Sequence, residues 1–255
     1  MISVKLFFVS TATLKKLCYR LLLLAAIIAA AVLLIPKGIR YIEVISHRYH
    51  PIYAVETEEK AVALTFDISW GSAMAPKVLQ ILREHQVTAT FFLSGPWVES
   101  HAELAGQILA DGHEIGSHGH KHVNFSQLSK EQIIDNVMSA HNSIKNTLNV
   151  EPSLIRTPNG DFDDETILTI KELGYLAIDW MIDSLDWKNP GVNAIINRVV
   201  KRLQPGAIIL MHASDSCKMT DAALPAIIKE ARSAGYQFVK VSDLLKLGPN
   251  DTKIR

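Results

Sequence analysis

The feature that most constrains the fold is an alternation of short apolar runs with longer helical patterns, which begins at Ala61. The short runs are typical of buried strands and cover Ala61–Phe66, Thr88–Leu93, Glu114–Ser117, Leu154–Arg156, Leu176–Ile182, Ala207–Met211 and Gln237–Val241. The helical patterns cover Ala75–His85, Ala102–Ala110, Lys130–Leu148, Asp164–Leu173, Val192–Leu203 and Asp221–Ala234. Strands that alternate with helices pair in parallel through crossover connections. The pattern therefore predicts an α/β fold with a parallel sheet.

Three glycines support these helix boundaries. Gly112, Gly174 and Gly235 each follow a helical pattern, where a left-handed C-cap is expected. About seven β/α units in ~190 residues favour an irregular (β/α) barrel over an open doubly wound sheet. We predict a globular domain over residues 61–248, a spacer over 41–60 and a C-terminal tail over 249–255.

The N-terminus carries an export pattern. Four basic residues precede an apolar run from Leu21 to Ile35, and no acidic residue occurs before Glu43. The small residues Ala29 to Ala31 lie inside the run rather than after it, which favours a retained signal-anchor over a cleaved signal peptide. A buried N-terminal helix of a cytosolic domain is the alternative. Residues 1–40 are thus predicted as a cytoplasmic tip and a single transmembrane helix.

Charge and cysteine content exclude two broad classes. Basic and acidic residues balance at 26 each, so no strong positive field attracts nucleic acid. Of the two cysteines, Cys18 lies in the N-terminal segment and Cys217 is the single thiol of the globular part. A disulfide framework is therefore excluded.

Polar residues gather at the predicted carboxyl ends of the strands, where the functional residues of such folds lie. They include carboxylates, three histidines and an arginine: Asp67, Ser69, Ser117, His118, His122, Arg156, Asp183, Asp186 and His212. Strand ends with a purely structural role more often carry Gly, Asn and Ser. The set indicates a site with acid–base or metal chemistry.

Two of these motifs have clear chemical readings. His118 and His122 are four residues apart, so both imidazoles can face one zinc-type cation, although a solvated histidine-rich loop is equally compatible. His113 and His120 are further ligand candidates by composition. Asp67 ends an apolar strand, which suits a general base, although a turn or helix-capping aspartate is the commoner reading.

The later motifs are individually weaker. Arg156 opens a turn that ends at Gly160; it can clamp a carboxylate bidentately, and the turn can present an N–H group to an oxyanion, or be an ordinary turn. The tryptophan of the motif Asp183–Trp187 suits a wall for a sugar ring or core packing. His212 suits a general acid or a merely hydrogen-bonded histidine.

Taken in order, the motifs resemble those of the polysaccharide deacetylase family (NodB-like domain). The resemblance rests on Thr65-Phe66-Asp67, His118 with His122, Arg156-x-Pro-x-Gly160, Asp183-x-x-Asp186-Trp187 and Leu210-x-His212, and covers Ala61 to Leu247. The stretches Phe66–Gly71, Gly116–His120 and Asp186–Gly191 look like a sporulation-associated (PdaB-like) subgroup of endospore-forming bacteria, whose members begin with one membrane segment.

The resemblance implies an activity, a cofactor and a location. The family removes N-acetyl groups from peptidoglycan or chitin-like amino sugars with one divalent metal, usually zinc. The substrate would be cell-wall glycan. The chain would be a single-pass protein of the bacterial cell membrane with its catalytic domain extracytoplasmic, in spore formers at the forespore or mother-cell membrane.

The resemblance also implies residue roles. Asp67 is the general base tethered by Arg156, His118 and His122 bind the metal, and His212 is the general acid tuned by Asp186. Trp187 and Leu210 line the pocket for the acetyl methyl group, and the backbone N–H of Asn159 contacts the oxyanion.

Two positions depart from the family pattern. Ile68 stands where the family has a metal-binding aspartate, and Asn159 stands where an aromatic residue is common. Because isoleucine cannot coordinate a metal, Ile68 supports an alternative reading, a catalytically degenerate protein that binds wall glycan without turnover.

Overall fold

The computed structural model describes residues 15–16, 19–24 and 49–250. The chain divides into two compact units, Met1–Arg48 and Tyr49–Arg255. In the first unit, residues 15–16 and 19–24 are helical with exposed side chains. Among the described residues no helix is long and apolar enough to cross a membrane. Most of the predicted signal-anchor, including residues 25–35 of its apolar run, lies outside the described residues.

The second unit alternates strands and helices in chain order. The strands are β1 (Ala61–Ile68), β2 (Thr90–Leu93), β3 (Glu114–Ser117), β4 (Leu154–Ile155), β5 (Leu176–Ala177), β6 (Ile182–Asp183), β7 (Ile208–His212) and β8 (Gln237–Val239). The α-helices are α1 (Met74–Glu84), α2 (Gly95–Ser100), α3 (Ala102–Ala110), α4 (Lys130–Leu148), α5 (Asp164–Glu172), α6 (Val192–Val200), α7 (Thr220–Ser233) and α8 (Val241–Leu244). Short 3₁₀ turns cover Phe125–Gln127, Pro158–Gly160 and Asp186–Lys188.

The strands form one parallel sheet in the order β5-β4-β3-β2-β1-β7-β6, with β8 beside the start of β1. The parallel α/β arrangement fits the predicted irregular (β/α) barrel. Within residues 49–250 no ladder joins its two outer strands, β5 and β6. They are consecutive in the chain, and the short link Ile178–Met181 connects them without a crossover helix.

One predicted strand is corrected. The run Leu176–Ile182 is not continuous: it contains β5, the link and the first residue of β6. An apolar run cannot reveal this break because Ile178, inside the link, is itself buried and pairs with Ile52 in an isolated bridge. A second bridge joins Ala54 to Ala207. Part of the segment predicted as a spacer thus pairs with the barrel.

The central strand β1 separates two environments by its pleat. Val62, Leu64, Phe66 and Ile68 pack in the largest hydrophobic cluster, with residues of the surrounding helices. Their alternates Thr65 and Asp67 point to the opposite face of the sheet. Every residue of β1 is buried, so a polar group on that face needs a partner inside the protein.

Local capping signals explain the main helix ends. Ser129 and Gln132 form a reciprocal capping box at the start of α4. The predicted left-handed positions after three helices are confirmed, with φ of 82° at Gly112 and Gly174 and 86° at Gly235. The predicted helix Val192–Leu203 ends earlier, at Val200.

Candidate functional site

Asp67 lies at the end of β1 and is held by a buried guanidinium. Arg156 Nη1 donates to Asp67 Oδ1 at 2.8 Å, and both side chains are nearly inaccessible to water. Burial alone would raise the pKa of Asp67. The charge and hydrogen bond of Arg156, with smaller contributions from the neighbouring histidines, outweigh burial, so the pKa lies below its ordinary value. Asp67 is therefore a carboxylate at neutral pH.

Arg156 is wholly buried and has a second function besides holding Asp67. Nη1 also donates to Thr65 Oγ at 2.8 Å, Nη2 donates to the carbonyl of Asp179 at 2.9 Å, and the guanidinium lies 4.2 Å from the ring centre of Phe92. The bidentate clamp expected from the sequence is not formed. The remaining N–H groups instead bind the sheet itself, so the arginine fixes Asp67 relative to β1 and the β5–β6 link.

His118 and His122 lie on one side of this pair. His118 Nδ1 donates to the carbonyl of Arg156 at 2.8 Å, since a carbonyl can only accept. Its Nε2 therefore carries the free lone pair and lies 3.7 Å from Asp67 Oδ2. The two imidazole centroids are 5.3 Å apart in an edge-to-face arrangement.

Both imidazoles are electrically neutral at neutral pH. Burial lowers the pKa of His118 to about 4, outweighing the nearby Asp67 charge. Burial also lowers the pKa of His122. A neutral imidazole with one nitrogen bonded to a carbonyl and the other free is the usual state of a metal ligand. The pair thus fits a divalent cation such as zinc.

The fully buried Asp186 and the part-buried His212 form a second pair. His212 Nδ1 donates to Asp186 Oδ1 at 2.7 Å, and the backbone N–H of His212 donates to Oδ2 at 2.8 Å. The Thr220 hydroxyl, at the start of α7, also donates to Oδ2 at 2.7 Å. Burial would lower the pKa of His212, but the hydrogen bond and charge of Asp186 raise it above its ordinary value.

The register between β1 and β7 brings the two pairs together. Asp67 and His212 are directly paired residues of these adjacent parallel strands. Neighbouring strands lie about 4.8 Å apart, so a carboxylate of lowered pKa faces an imidazole of raised pKa across one strand spacing. One group is ready to accept a proton and the other to donate one.

The turn after β6 positions Asp186 and Trp187. Leu185 and Asn189 both have left-handed backbones, with φ of 56° and 50°. A leucine in this region is strained, and such strain concentrates at functional sites. The turn buries Asp186 completely and leaves Trp187 48 % exposed, with Lys188 Nζ 4.7 Å from its ring centre. Trp187 is therefore a surface residue and not part of the core, and its role as a pocket wall stays a prediction.

The other predicted pocket residues are placed as follows. Leu210 lies in β7, is buried and pairs with Thr65 of β1. Asn159 is exposed, and its side chain donates to Asn124 Oδ1 at 2.7 Å. Its φ of 61° is a conformation that asparagine tolerates better than most residues.

Ile68 has no atom that can coordinate a cation beside the two histidines. It is fully buried and belongs to the cluster that contains Phe66 and Leu64. The donor set for a cation at this site is therefore two imidazoles beside Asp67, without a second carboxylate from β1.

Two other groups of candidate ligands are better explained in other ways. His113 precedes β3, at the end opposite the site, and its Nδ1 accepts the Ala89 N–H at 3.2 Å; it is a core histidine. The ligand atoms of Asp186, His212 and Cys217 lie within 4.8 Å of one another. However, both Asp186 oxygens already accept hydrogen bonds, and burial raises the pKa of the Cys217 thiol to about 12. This trio fits a hydrogen-bonded acid pair next to a protonated thiol.

Three residues to which the sequence assigned no role contribute to the site: Thr65, Thr220 and Asp179. Thr65 precedes Asp67 by two, so strand alternation places both on one face and could have found it. Thr220 is separated from β7 by a loop without a strand period and therefore carries no such signal. Asp179 contributes its carbonyl to Arg156, a role that no side-chain pattern reveals.

Comparison with known proteins identifies the family. Residues 54–178 match the family model described as polysaccharide deacetylase. A peptidoglycan-N-acetylglucosamine deacetylase of Bacillus cereus is 38% identical over 197 residues, which cover 76% of this chain and 92% of that protein. The uncharacterized protein YlxY of Bacillus subtilis is 34% identical over 76% of this chain, and the match spans only 60% of its length.

Solved structures give the same fold. A CE4 family pseudoenzyme from Bacillus anthracis, BA3943, is 34% identical, with a TM-score of 0.72 over 76% of this chain and 68% of that chain. A BA3943 mutant described as having restored enzymatic activity is 35% identical, with the same TM-score over 76% and 71%. The matched relatives and the order of the site motifs point to the same family. This chain therefore belongs to the polysaccharide deacetylase family, a family of hydrolases.

Proposed function

We propose that this protein is a metal-dependent deacetylase that removes N-acetyl groups from the amino sugars of bacterial cell-wall glycan. The observation that carries the proposal is the strand pairing of Asp67 with His212, whose pKa values are shifted in opposite directions. The Bacillus cereus deacetylase, 38% identical over most of its length, supports the substrate class.

In this proposal each side chain has one role in amide hydrolysis. Asp67 accepts a proton from water as the water oxygen bonds to the acetyl carbon. His212 donates its proton to the sugar nitrogen as the C–N bond breaks, so acetate and a free amine are the products. The amine needs this proton because an amide anion is a very poor leaving group.

His118 and His122 would hold one divalent cation, for which zinc is the best fit. The cation supplies a more acidic water and a polarised acetyl carbonyl. Arg156 keeps Asp67 ionised and in place, and Asp186 orients His212 and favours its protonated state. Asn159 contributes its backbone N–H to the oxyanion, and Trp187 and Leu210 form the wall for the acetyl methyl group.

A second candidate function follows from Ile68. The residue that the family uses as a carboxylate ligand is here part of the dry core, and the BA3943 relative is described as a pseudoenzyme. In this alternative the protein binds wall glycan without turnover. The donor set of two histidines would then be too weak to retain the metal.

Acetate release by the full chain separates the two functions. The assay uses peptidoglycan fragments and N-acetylglucosamine oligomers, without metal and with added zinc or cobalt. Metal-dependent release that disappears in His118→Ala/His122→Ala supports the deacetylase. No release from wild type together with release from Ile68→Asp would instead support the degenerate protein and would show which residue disabled it.

We also propose that residues 1–40 anchor the protein in the cell membrane with residues 61–248 on the outer side. The support is the sequence pattern alone, four basic residues before the Leu21–Ile35 run. Added protease should digest the globular part of intact protoplasts if the orientation is right. Recovery of the whole chain in the protease-protected soluble fraction would contradict it. The resemblance to the PdaB-like subgroup extends the proposal to the forespore or mother-cell membrane.

A further inference from the structure

Trp70 is a large aromatic residue that the proposed chemistry does not use. It follows the end of β1 after Ser69, on the same end of the barrel as Asp67, and its side chain is 47% exposed. Its indole ring lies edge-to-face with the imidazole of His122, with ring centroids 5.3 Å apart. Trp70 therefore borders the site and presents a broad apolar surface to water.

The loop that carries Trp70 is fixed by hydrogen bonds on both sides of the residue. The Ser69 N–H donates to Ser214 Oγ at 3.1 Å, and the Ser69 hydroxyl pairs with the buried Ser94 hydroxyl at 2.6 Å. The carbonyl of Gly71 accepts from Trp97 Nε1 at 2.7 Å. The loop therefore cannot move without breaking contacts with two other strand ends.

The residues after Trp70 are fixed by a single carboxylate. Asp215 accepts the backbone N–H groups of Ser72, Ala73 and Met74 at 3.1, 2.8 and 2.8 Å. Gly71 has φ of 80°, and a Cβ there would meet the Asp215 carboxyl carbon at 2.2 Å. Only glycine permits this close approach, so the loop is built to be tied to the segment after β7.

The orientation of the Trp70 ring is also fixed. Its Nε1 donates to Ser216 Oγ at 3.2 Å. The carbonyl of Ser216 in turn accepts from the side chain of Asn189, which ends the turn carrying Trp187. Ser216 thus binds both Trp70 and the turn that carries Trp187. A rigid, half-exposed indole loses little conformational entropy on binding, which is the property of a preorganised binding surface.

We propose that Trp70 is a carbohydrate subsite that stacks on the sugar next to the one whose acetamido group meets Asp67 and His212. The ligand class is a β-1,4-linked chain of pyranose amino sugars, whose equatorial substituents leave C–H faces that pack on an aromatic ring. The choice of substrate class rests on the proposed function. Because a single sugar occupies only one of the two positions, the subsite makes the binding affinity depend on glycan chain length.

Binding to the full chain tests this subsite without turnover. Calorimetry would measure affinity for N-acetylglucosamine oligomers of two to six units in an Asp67→Asn background. Trp70→Ala should weaken binding of the hexamer by about five- to tenfold and change that of the dimer much less. Trp70→Phe should retain part of the affinity, and Leu109→Ala, which removes an apolar side chain of 36% exposure at the end of α3, on the opposite end of the barrel, should change nothing.

Two results would overturn the subsite: hexamer binding by Trp70→Ala as tight as that of the Asp67→Asn parent, or no oligomer binding by that parent. A merely structural role would lower the melting temperature and weaken dimer and hexamer equally.

Acetate release distinguishes this proposal from the proposed function. A chain-length effect at Trp70 in a protein that releases no acetate keeps the subsite and refutes the deacetylase. Release by wild type with an unchanged KM for the hexamer in Trp70→Ala keeps the deacetylase and refutes the subsite.

Discussion

The two halves of the site are built on the same group, a buried carboxylate at the mouth of the barrel, yet they use it differently. Asp67 faces Arg156, a cation that does not lose its proton. Asp186 faces His212, whose proton can leave. In the first half the partner lowers the pKa of the carboxyl, and in the second the carboxylate raises the pKa of the partner.

The difference shows that an aspartate can either remain ionised itself, as Asp67 does, or keep a neighbouring histidine protonated, as Asp186 does. A fixed cation stabilises the ionised carboxylate and leaves it as the only titrating member of the pair. When the partner is titratable, as His212 is, the carboxylate stabilises the protonated form of that partner, so the proton stays on the imidazole. Since Asp67 and His212 are paired across β1 and β7, the ionised carboxylate and the protonated imidazole lie within reach of one substrate.

The largest expected effect comes from removing the fixed cation. Arg156→Met should lower the free energy of unfolding at pH 7 by about 3–5 kcal/mol, because it leaves the Asp67 charge buried without a partner. Urea denaturation measures the loss. The double variant Arg156→Met/Asp67→Asn should recover much of the stability, since it buries no charge. Equal instability of the single and double variants would show that Arg156 stabilises the fold through its backbone contacts and not through Asp67.

The matching change in the acid half should act on proton affinity. Asp186→Asn removes the hydrogen bond and charge that contribute most to raising the pKa of His212, so that pKa should fall, because burial is then opposed only by the charges of Asp67 and Asp183. If the deacetylase proposal holds, the turnover rate should drop by about 10²–10⁴-fold. Nuclear magnetic resonance of the His212 imidazole gives the pKa directly. An unchanged pKa would mean that Asp186 only positions the ring.

The sequence alone could predict much of this site, because its residues follow strands. Strand alternation separates Thr65 and Asp67 from Phe66 and Ile68, and polar residues at strand ends mark the mouth of the barrel. The pairing of β1 with β7 could not be predicted, because it depends on strand order and the intervening chain contains most of the domain. The facing of Asp67 and His212 therefore had to come from the structure.

The irregular parts of the fold escaped prediction for a related reason. The link Ile178–Met181 joins β5 to β6 and contributes carbonyls to Arg156, but its mostly apolar sequence is typical of a strand. Helix α2 is only six residues long and starts with Gly95-Pro96, which reads as a turn. Short elements bury too few residues to leave a period in the sequence.

A histidine outside the site sharpens the comparison. His113 is more deeply buried than His212, accepts the Ala89 N–H and has no carboxylate bound to it among the described residues, and burial lowers its pKa to about 4. Between that value and the unfolded value near 6.5, the unfolded chain binds one more proton at this position. Stability should therefore fall as pH drops through this window, by about 1.4 kcal/mol per pH unit for this residue.

His113→Asn tests this assignment because its side-chain oxygen can still accept the Ala89 N–H. The variant should show a shallower loss of stability between pH 6.5 and 4, measured by urea denaturation at several pH values. His212 has the opposite sign: its raised pKa stabilises the fold below pH ~6.5, and that contribution is lost as pH rises through the folded value. An acid limb of unchanged slope in His113→Asn would assign that limb to other groups.

The smallest expected effects come from two buried hydroxyls, one in each half. Thr65→Val removes an acceptor of Arg156 and the donor to the Ile209 carbonyl, which leaves two buried groups without that partner. Thr220→Val removes one donor from Asp186 Oδ2, which still accepts the His212 N–H. We expect losses of about 2 and 1 kcal/mol in the free energy of unfolding, respectively, because each unsatisfied buried group costs about 1–3 kcal/mol. Thr220→Val should also shift the pKa of His212, whereas Thr65→Val should not. A larger loss in Thr220→Val would mean that Asp186, and not Arg156, is the more tightly constrained charge, which would reverse the comparison between the two halves.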